Sequence, residues 1–486
     1  MQQRIALILL TLCLALLIYM VLSMEVISNA QGLVAYTLIL LGYLYLETRS
    51  LRARDSNLIW INPVVVASIL TFVVAFGVSN IIYFFPEDIL VLVGLQPIAT
   101  PWMNQLMFLV ILGAISMWVG YGSSFGRSFA KTFQRSRLLR KLIRPSLLVN
   151  KHVVYLCILL SLISKLIAIK LGIYGYTSNY DSIIESASYS QYLNMADSLG
   201  KVALIVVALK LYSSSRPSLS DRHILWIVLS YEVGFGILSG MKSAVIMPFI
   251  IVGLAYYSQR NRFPRWLMPT VLVGLMTAYA IIEPFRAAYN ESSMKGDVSV
   301  SSIVSAITTP SNTNDVSGRA STGLSVLSRT NQTYIASLGI EYADNYKELP
   351  QGSPAFLNNI ILAPAHALIP RFLWNSKPIE NNGLWYTNEV VGNDSFSSTA
   401  MSPFTYLNFA GGSLAVIVGF FVVGVTQRGL FEGLRHFGSG GVLVFFGLFG
   451  TLVNIDNSFN SFFINIIRLL PILVILQYLL LRKSYK

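Results

Sequence analysis

The segment Ile5–Ser23, IALILLTLCLALLIYMVLS, contains nineteen residues without one charged side chain. As a helix it would extend about 28 Å, close to the thickness of the hydrocarbon core of a bilayer. Eleven further apolar blocks follow it along the chain. They lie at about 29–47, 58–84, 103–123, 152–172, 197–212, 223–240, 243–257, 266–285, 403–425, 441–453 and 461–481. The pattern predicts an all-helical, polytopic integral membrane protein with about twelve transmembrane helices.

The composition of the whole chain agrees with this prediction. Of 486 residues, 54% are hydrophobic and only 12% are charged, and the mean hydropathy is +0.61. Soluble proteins contain about 25% charged residues, so this chain has too little polar surface to cover a globule in water. The composition excludes a soluble enzyme and a disordered chain. The two cysteines, Cys13 and Cys157, lie inside predicted spans, which excludes a disulfide scaffold.

The net charge of +13 reports orientation, because the basic residues are unevenly distributed. With the N-terminus inside, the predicted inner segments contain 22 of the 35 Lys and Arg residues, whereas the outer segments are net acidic. This asymmetry is the positive-inside pattern, so both termini are predicted to be cytoplasmic. The basic stretch from Arg127 to Lys151 contains no acid, and we interpret it as an anchor for anionic lipid headgroups. Nucleic acid is not an expected partner.

One connection is far longer than the others and divides the chain into three parts. Residues 1–285 would form transmembrane helices one to nine, residues 286–400 an outer cap loop, and residues 401–486 helices ten to twelve. Loops of this length are usually functional or disordered. Apolar spacing at Leu324, Leu327, Tyr334 and Leu338 predicts a helix in the cap. A second helix should begin at Pro354 and end near Ile369, because Pro370 disfavours a helical conformation in the residue before it.

The cap contains the only histidine on the predicted outer side, His366, in the string His366-Ala-Leu-Ile-Pro-Arg371-Phe-Leu-Trp374-Asn-Ser-Lys377-Pro. An imidazole can remove a proton near neutral pH, and a guanidinium can bind phosphate oxygens in a bidentate manner. This combination suits a reaction in which a hydroxyl group attacks and a diphosphate leaves. The alternative is that His366 packs inside the cap and that Arg371 pairs with a nearby acid.

Two more cations interrupt the positive-inside pattern on the outer side. Lys242 lies in the tight connection between the seventh and eighth spans, and Arg286 follows the ninth span. Charges held close to hydrocarbon suggest function, but snorkelling to lipid headgroups explains each equally well. Within the spans, Arg468 lies deepest and should face the bundle interior, where Glu232 is a possible partner. The tyrosines of the outer loop 173–196 would line a glycan path or form an interfacial belt.

Several kinds of site are missing from the sequence. It has no P-loop, no Gly-rich dinucleotide turn and no metal-ligand spacing of His or Cys. The metal and cofactor sites that these motifs form are therefore not expected.

Three stretches of the sequence resemble one family. Ile369–Pro378, IPRFLWNSKP, resembles the IPR-x-x-W-x-x-KP string of the Wzy-type bacterial polymerases that join oligosaccharide repeat units into O-antigens and exopolysaccharides. Gly240-Met-Lys-Ser243 is similar to the Gly-x-Arg/Lys turn of that family. The stretch 403–412, PFTYLNFAGG, is similar to its Asn-Phe-Gly-x-x-Gly helix.

The resemblance implies a GT-C-like fold and a metal-independent, inverting glycosyltransferase at the outer face of the bacterial inner membrane. Its donor and acceptor would be glycans on undecaprenyl diphosphate, and its other partners would be membrane lipids, a flippase and a chain-length regulator. By the motif match, Lys242, Arg371 and Lys377 would contact diphosphate. By their position, Arg286 would join them and His366 would act as the base. The further candidates are Arg319, Arg329 and Trp374, although neither arginine fits the Arg-x10-Gly pattern of some polymerases.

Two other functions are also compatible with the sequence. An O-antigen ligase would use the same donor but transfer the glycan to lipid A. A flippase for lipid-linked oligosaccharides would move the donor without chemistry, and would be expected to carry charges along many spans.

Overall fold

Every secondary-structure element in the described part of the chain is helical, apart from one isolated β-bridge between Val149 and Leu481. The computed structural model describes residues 2–54, 59–84, 99–145, 147–175, 189–214, 217–267, 269–274, 330–346, 349–369, 382–392, 399–455 and 459–482, and the single residues Asp88, Val91, Ser186, Ile282, Leu373, Trp374 and Lys377.

The helices are numbered here in chain order. The first ten are α1 (Gln2–Ser23), α2 (Asn29–Arg54), α3 (Pro63–Tyr83, with a π-helical stretch at Ser68–Val74), α4 (Pro101–Gly122), α5 (Ser124–Arg135), α6 (Arg137–Leu142), α7 (Lys151–Lys170), α8 (Ser190–Ser213), α9 (Leu219–Leu238) and α10 (Lys242–Arg260). The rest are α11 (Thr333–Asn345), α12 (Phe356–Ile361), α13 (Ala363–Leu368), α14 (Asn382–Trp385), α15 (Pro403–Arg435), α16 (Gly438–Val453) and α17 (Phe459–Leu480).

Eight of these helices are long and apolar enough to cross a membrane. They are α1, α2, α3, α4, α7, α8, α15 and α17. Three more predicted spans coincide with α9, α10 and α16, whereas the span predicted at 266–285 lies mostly outside the described residues. The prediction of a helical, multi-pass membrane protein is thus confirmed. The count of twelve spans and the GT-C-like fold stay predictions.

Helices α4 and α15 pack closely at the centre of the bundle because glycines let their backbones approach. A methyl group added at Gly424 would overlap the carbonyl oxygen of Met117, and one added at Gly120 would overlap that of Phe421. Since lipid is as apolar as the side chains, membrane helices associate through such close packing and through polar contacts. Small residues on these two helices therefore determine how α4 and α15 fit together.

Helix α15 is broken at Gly411 and Gly412, where the chain reverses direction. Gly412 has φ +65° and ψ −156°, a conformation essentially restricted to glycine. Phe404 and Phe420 would lie about 24 Å apart along a continuous helix. Their rings instead stack with centroids 4.6 Å apart. Phe404 also lies beside Gly113, at the middle of α4, so the chain enters α15 deep in the bundle rather than at its end.

Helix α11, from the predicted cap, is also inserted between the long helices. The backbone N–H of Gln332 donates to the carbonyl of Ala75 in α3. The amide of Asn331 and the hydroxyl of Thr333 both donate to Asn80 Oδ1, at 2.9 and 2.6 Å. Helix α11 therefore lies within the bundle rather than in an outer cap. Its small and hydroxyl side chains fit against α3, α4 and α15.

Of the first helix predicted in the 286–400 segment, Tyr334 and Leu338 lie in α11, whereas Leu324 and Leu327 lie outside the described residues. The second predicted helix is present as the pair α12 and α13.

The segments predicted to be cytoplasmic meet at one end of the bundle. Arg4 bonds Glu47 at 2.8 Å and the carbonyl of Trp118 at 2.6 Å. Arg428 donates to the carbonyl of Tyr121 at 2.9 Å. The C-terminal end of α17 joins the same end, where the carbonyl of Leu480 accepts from the N–H of Asn150. The N-terminal end of α1 and the C-terminal end of α17 thus lie on one side of the bundle. That this side is cytoplasmic stays a prediction.

Candidate functional site

His366 lies on α13, a short helix whose limits follow from the sequence. Pro364 occupies the first turn, where its missing N–H costs nothing. Ile369 is extended, with ψ 117°, as expected of a residue before proline. Ala363 and Ala367 are buried against Ile464 of α17, and His366 lies on the same face with 3% of its surface exposed. The predicted end of this helix at Ile369 is therefore confirmed.

The carbonyl groups at the end of α13 accept hydrogen bonds from two cations. Lys377 Nζ donates to the carbonyl of His366 at 2.7 Å and to that of Ile369 at 2.9 Å. Arg468 Nη2 donates to the same His366 oxygen at 2.7 Å, and its Nε donates to the carbonyl of Ala367 at 3.2 Å. The last carbonyls of a helix lack intrahelical partners and carry partial negative charge, so cations stabilise them.

The aromatic residue of the motif also contacts the histidine. The rings of His366 and Trp374 lie 5.4 Å apart between centroids. Lys377 is 7% exposed. Trp374 and Lys377, which both belong to the motif, therefore lie against α13. This arrangement brings together three of the predicted site residues, His366, Trp374 and Lys377, and adds Arg468 from α17.

Of the other predicted residues, Lys242 alone lies in the part of the chain that the structure describes. Lys242 is the first residue of α10, directly after a turn in which Gly240 has φ +64°. Arg286, Arg319, Arg329 and Arg371 lie outside the described residues. Their predicted roles toward diphosphate stay predictions.

A second cluster of charges lies between α7, α8 and α9, and sequence reasoning did not assemble it. Lys165 Nζ lies 2.9 Å from Glu232 Oε1 and 3.4 Å from Asp197 Oδ1. The side chains of Lys165 and Glu232 are each 3% exposed, and the Lys165 ammonium lies 4.2 Å from the centre of the Tyr231 ring. Gly200 leaves room for the carboxylate, since a methyl group there would overlap Glu232. Glu232 therefore pairs with Lys165 rather than with Arg468.

The sequence contained one signal for this cluster. Lys165 and Glu232 both fall well inside predicted spans, and charged residues inside a membrane almost always pair with one another or face an aqueous cavity. Hydropathy alone does not say which helices are neighbours, so it could not identify Lys165 as the partner of Glu232.

Aromatic side chains form a cluster where α11, α12, α14 and α15 meet. The rings of Phe356 and Phe409 stack at 5.0 Å, and Trp385 lies 5.5 Å from Phe356 and 6.0 Å from Tyr342. Next to them, Tyr386 donates its hydroxyl to the carbonyl of Ile335 at 2.5 Å. Burial raises the pKa of Tyr386 above its usual range, so this phenol stays neutral.

The tyrosines of the outer loop 173–196, predicted either to line a glycan path or to form an interfacial belt, do not form one cluster among the described residues. Tyr174 donates to the carbonyl of Phe235 at 3.0 Å, whereas Tyr189 and Tyr192 are exposed. Tyr176 and Tyr180 lie outside the described residues. The aromatic cluster around Phe356 was not anticipated, because its members come from segments far apart in the chain.

Comparisons with known proteins identify one family. A family model described as a domain of unknown function, DUF8712, matches residues 155–484, about two thirds of the chain. No curated protein and no solved structure matches the chain. The described residues contain no group of three or more His, Cys, Asp or Glu side chains that could hold a metal ion.

Proposed function

The chain belongs to the DUF8712 family, and we propose that it polymerises lipid-linked oligosaccharide repeat units at the outer face of the bacterial inner membrane. In this reaction an acceptor hydroxyl attacks the anomeric carbon of a glycan carried on undecaprenyl diphosphate. The new glycosidic bond forms as the bond to the diphosphate breaks, with inversion at that carbon. The diphosphate departs with the electron pair, and the hydroxyl proton passes to a base.

The observation that carries the proposal is the convergence of motif residues on one histidine. Trp374 and Lys377 belong to the string that resembles the polymerases, and both contact His366, which precedes that string. The contacts of these two motif residues with the only histidine on the predicted outer side support His366 as the base of the reaction. A positioned base typically contributes about 10²–10⁴-fold to the rate.

The leaving group requires positive charge on the same side. Arg371 and Arg286 are proposed to bind the diphosphate together with Lys242 and Lys377. Electrostatic stabilisation of developing charge is usually the largest contribution to catalysis of this kind. Because Lys377 already donates to two carbonyl groups, we assign it a double role: it positions α13 and adds positive charge next to His366.

The aromatic cluster supports a glycan substrate. Sugar rings commonly lie against aromatic faces, and Trp385, Phe409 and Tyr342 are each only partly buried. Phe356, a member of this cluster, begins α12, and α13 with His366 follows directly. The aromatic cluster that would hold the glycan is therefore linked to the proposed base through two consecutive short helices.

The test compares bacteria that express the wild-type chain with bacteria that express His366→Gln. Glutamine keeps a polar side chain of similar length but cannot take up the proton. We expect the ladder of long surface glycan to disappear while single repeat units and the amount of protein stay unchanged. His436→Gln, at the exposed end of α15, is the matched control and should leave the ladder intact. A normal ladder from His366→Gln would exclude the base role.

Reconstitution separates polymerisation from the two other functions. Purified protein in vesicles, supplied with lipid-linked repeat units, should produce longer lipid-linked glycans and release undecaprenyl diphosphate. Transfer only to added lipid A would identify a ligase. Movement of labelled lipid across the vesicle membrane, with its glycan unchanged, would identify a flippase and overturn the proposal.

A further inference from the structure

A basic cavity lies at the end of the bundle opposite to the predicted outer surface, between α8, α9 and α10. Its volume is about 700 Å³. Three arginines line it: one near the start of α9, one at the end of α10 and one two residues beyond that end. They are Arg222, Arg260 and Arg262. The other lining residues are apolar or aromatic, and none is acidic: Leu211, Tyr212, Pro217, Leu225, Trp226 and Tyr256.

The positive charge of this cavity is not neutralised by the residues that the structure describes. Arg260 donates to the carbonyl of Ser214 at 3.2 Å, and neither Arg222 nor Arg262 forms an ion pair with a described residue. The nearby acid, Asp221, already pairs with Lys210 at 2.8 Å and Lys151 at 3.5 Å. Three like charges held together repel one another, so an anion bound among them would be stabilised.

The geometry of α9 extends the cavity onto an apolar surface. Arg222 lies one helical turn before Trp226, and residues four apart share a helix face. Trp226 is 64% exposed and Ile227 is 63% exposed. In a membrane this face contacts acyl chains. The cavity thus combines cationic groups at the end of the helix with an apolar surface directly beyond them.

Two tyrosines complete the wall of the cavity. The rings of Tyr212 and Tyr256 pack edge to face, with centroids 5.0 Å apart. Tyrosine is enriched at membrane–water interfaces, where its ring is apolar and its hydroxyl can donate to a headgroup. Arginine suits the same ligand, because its planar fork matches two phosphate oxygens.

From these observations we propose that the cavity binds the headgroup of an anionic phospholipid. The phosphodiester is held by Arg222, Arg260 and Arg262, and the acyl chains lie along Trp226 and Ile227. The ligand is a lipid rather than a soluble phosphate because the cationic end of the cavity is continuous with an exposed apolar helix face. The proposal does not depend on the proposed glycosyl transfer.

Native mass spectrometry of the full chain in detergent tests the proposal. Phosphatidylglycerol and phosphatidylcholine are added separately, and the bound lipids are counted at increasing lipid concentration. The test variant carries Arg222→Gln, Arg260→Gln and Arg262→Gln. The matched control carries Arg49→Gln, Arg52→Gln and Arg482→Gln, at the same end of the bundle but outside both the cavity and the basic stretch from Arg127 to Lys151. These three residues are exposed, and the control loses the same charge.

We expect wild-type protein and control to retain at least one phosphatidylglycerol tightly and to bind phosphatidylcholine weakly. A basic residue near an anionic surface contributes about 1 kcal/mol, or about fivefold in affinity, so three should contribute about 100-fold. The test variant should lose this tight binding, and the Arg→Lys version of all three should keep most of it. If the Arg→Lys variant keeps tight phosphatidylglycerol binding, the loss of binding in the Arg→Gln variant comes from the missing charge and not from misfolding.

Three results would overturn the proposal. In the first, the test variant keeps the tight lipid. In the second, the control loses as much affinity as the test variant. In the third, millimolar inorganic phosphate binds the wild-type protein and displaces phosphatidylglycerol, which would identify a site for a soluble anion.

Discussion

The ammonium group of Lys377 lies 2.7 Å from the carbonyl oxygen of His366, eleven residues earlier in the chain. The guanidinium of Arg468 reaches the same oxygen from α17. Two cations from distant segments thus hold the end of α13, and with it the imidazole. Both groups act on the backbone, so their first effect is on the position of His366.

The first prediction concerns these two cations. Lys377→Met should lower the free energy of unfolding by about 1–3 kcal/mol, the usual range for hydrogen bonds to charged groups. Thermal denaturation in detergent measures this change. Lys131→Met, at an exposed position on α5, should have no measurable effect and is the control.

The double variant Lys377→Met with Arg468→Met extends this test. Since both side chains bond one oxygen, their effects should not be additive, and the coupling should exceed about 0.5 kcal/mol. Strict additivity would show that the two cations act independently of the His366 carbonyl.

The second prediction concerns the buried pair of Lys165 and Glu232. Removal of one partner by Lys165→Met leaves an uncompensated charge, which typically costs about 3–5 kcal/mol. Replacement of both by methionine should recover part of that loss, because the apolar pair avoids the desolvation cost but leaves Asp197, 3.4 Å from Lys165, without this cation. A double-mutant cycle on thermal denaturation provides the measurement.

The same double variant distinguishes a structural role of the Lys165–Glu232 pair from a direct role in handling substrate. If the pair only stabilises the bundle, the double variant keeps its activity in the surface-glycan test. Loss of activity in a stable double variant would instead give these charges a direct role in handling substrate.

The third prediction concerns the break in α15. Gly412→Ala should destabilise the protein by about 1–3 kcal/mol, because alanine strongly disfavours φ +65° with ψ −156°. An added methyl group at Gly412 meets no atom within 4 Å, so the cost comes from the backbone conformation alone.

Gly234→Ala is the matched control for this substitution. Gly234 also has open space around it, but it lies inside α9, where alanine is favoured over glycine by about 1 kcal/mol. The two variants should therefore shift the melting temperature in opposite directions. A neutral Gly412→Ala would mean that α15 does not reverse at this point.

The fourth prediction concerns the anchoring of α11. Asn80→Leu removes the acceptor shared by Asn331 and Thr333 and leaves these buried groups without that bond. Amide hydrogen exchange in residues 333–345 should become at least tenfold faster, corresponding to about 1.4 kcal/mol of lost local stability.

Asn62→Leu controls for general destabilisation. Asn62 bonds the hydroxyl of Tyr121 at 2.7 Å, near the other end of the bundle. Its loss should weaken the protein without selectively accelerating exchange in α11. Equal acceleration by both variants would contradict a specific anchor at Asn80.

Part of this structure could be predicted from local sequence patterns. The end of α13 at Ile369 follows from the proline after it, a restriction that acts between adjacent residues. The spans α1 and α4 follow from runs of apolar residues, because a lipid environment requires an apolar surface and internally satisfied backbone groups. Neither inference requires knowledge of neighbouring helices.

The rest depended on contacts that no local pattern encodes. Glu232 was a possible partner of Arg468, but Arg468 bonds the carbonyls of α13 and Glu232 pairs with Lys165. Helix α11 was expected in a cap and lies between α3, α4 and α15. The reversal at Gly412 explains the second difference, since it brings the start of α15 deep into the bundle and creates the surface on which α11 packs.

The amino-acid sequence by itself determined that this is a helical membrane protein, because hydropathy accumulates along consecutive residues. Only the tertiary structure decided which charges meet, since helix neighbours depend on small-residue packing between segments that are far apart in the chain. That packing placed Lys377 and Arg468 at the carbonyl of His366, and Lys165 beside Glu232.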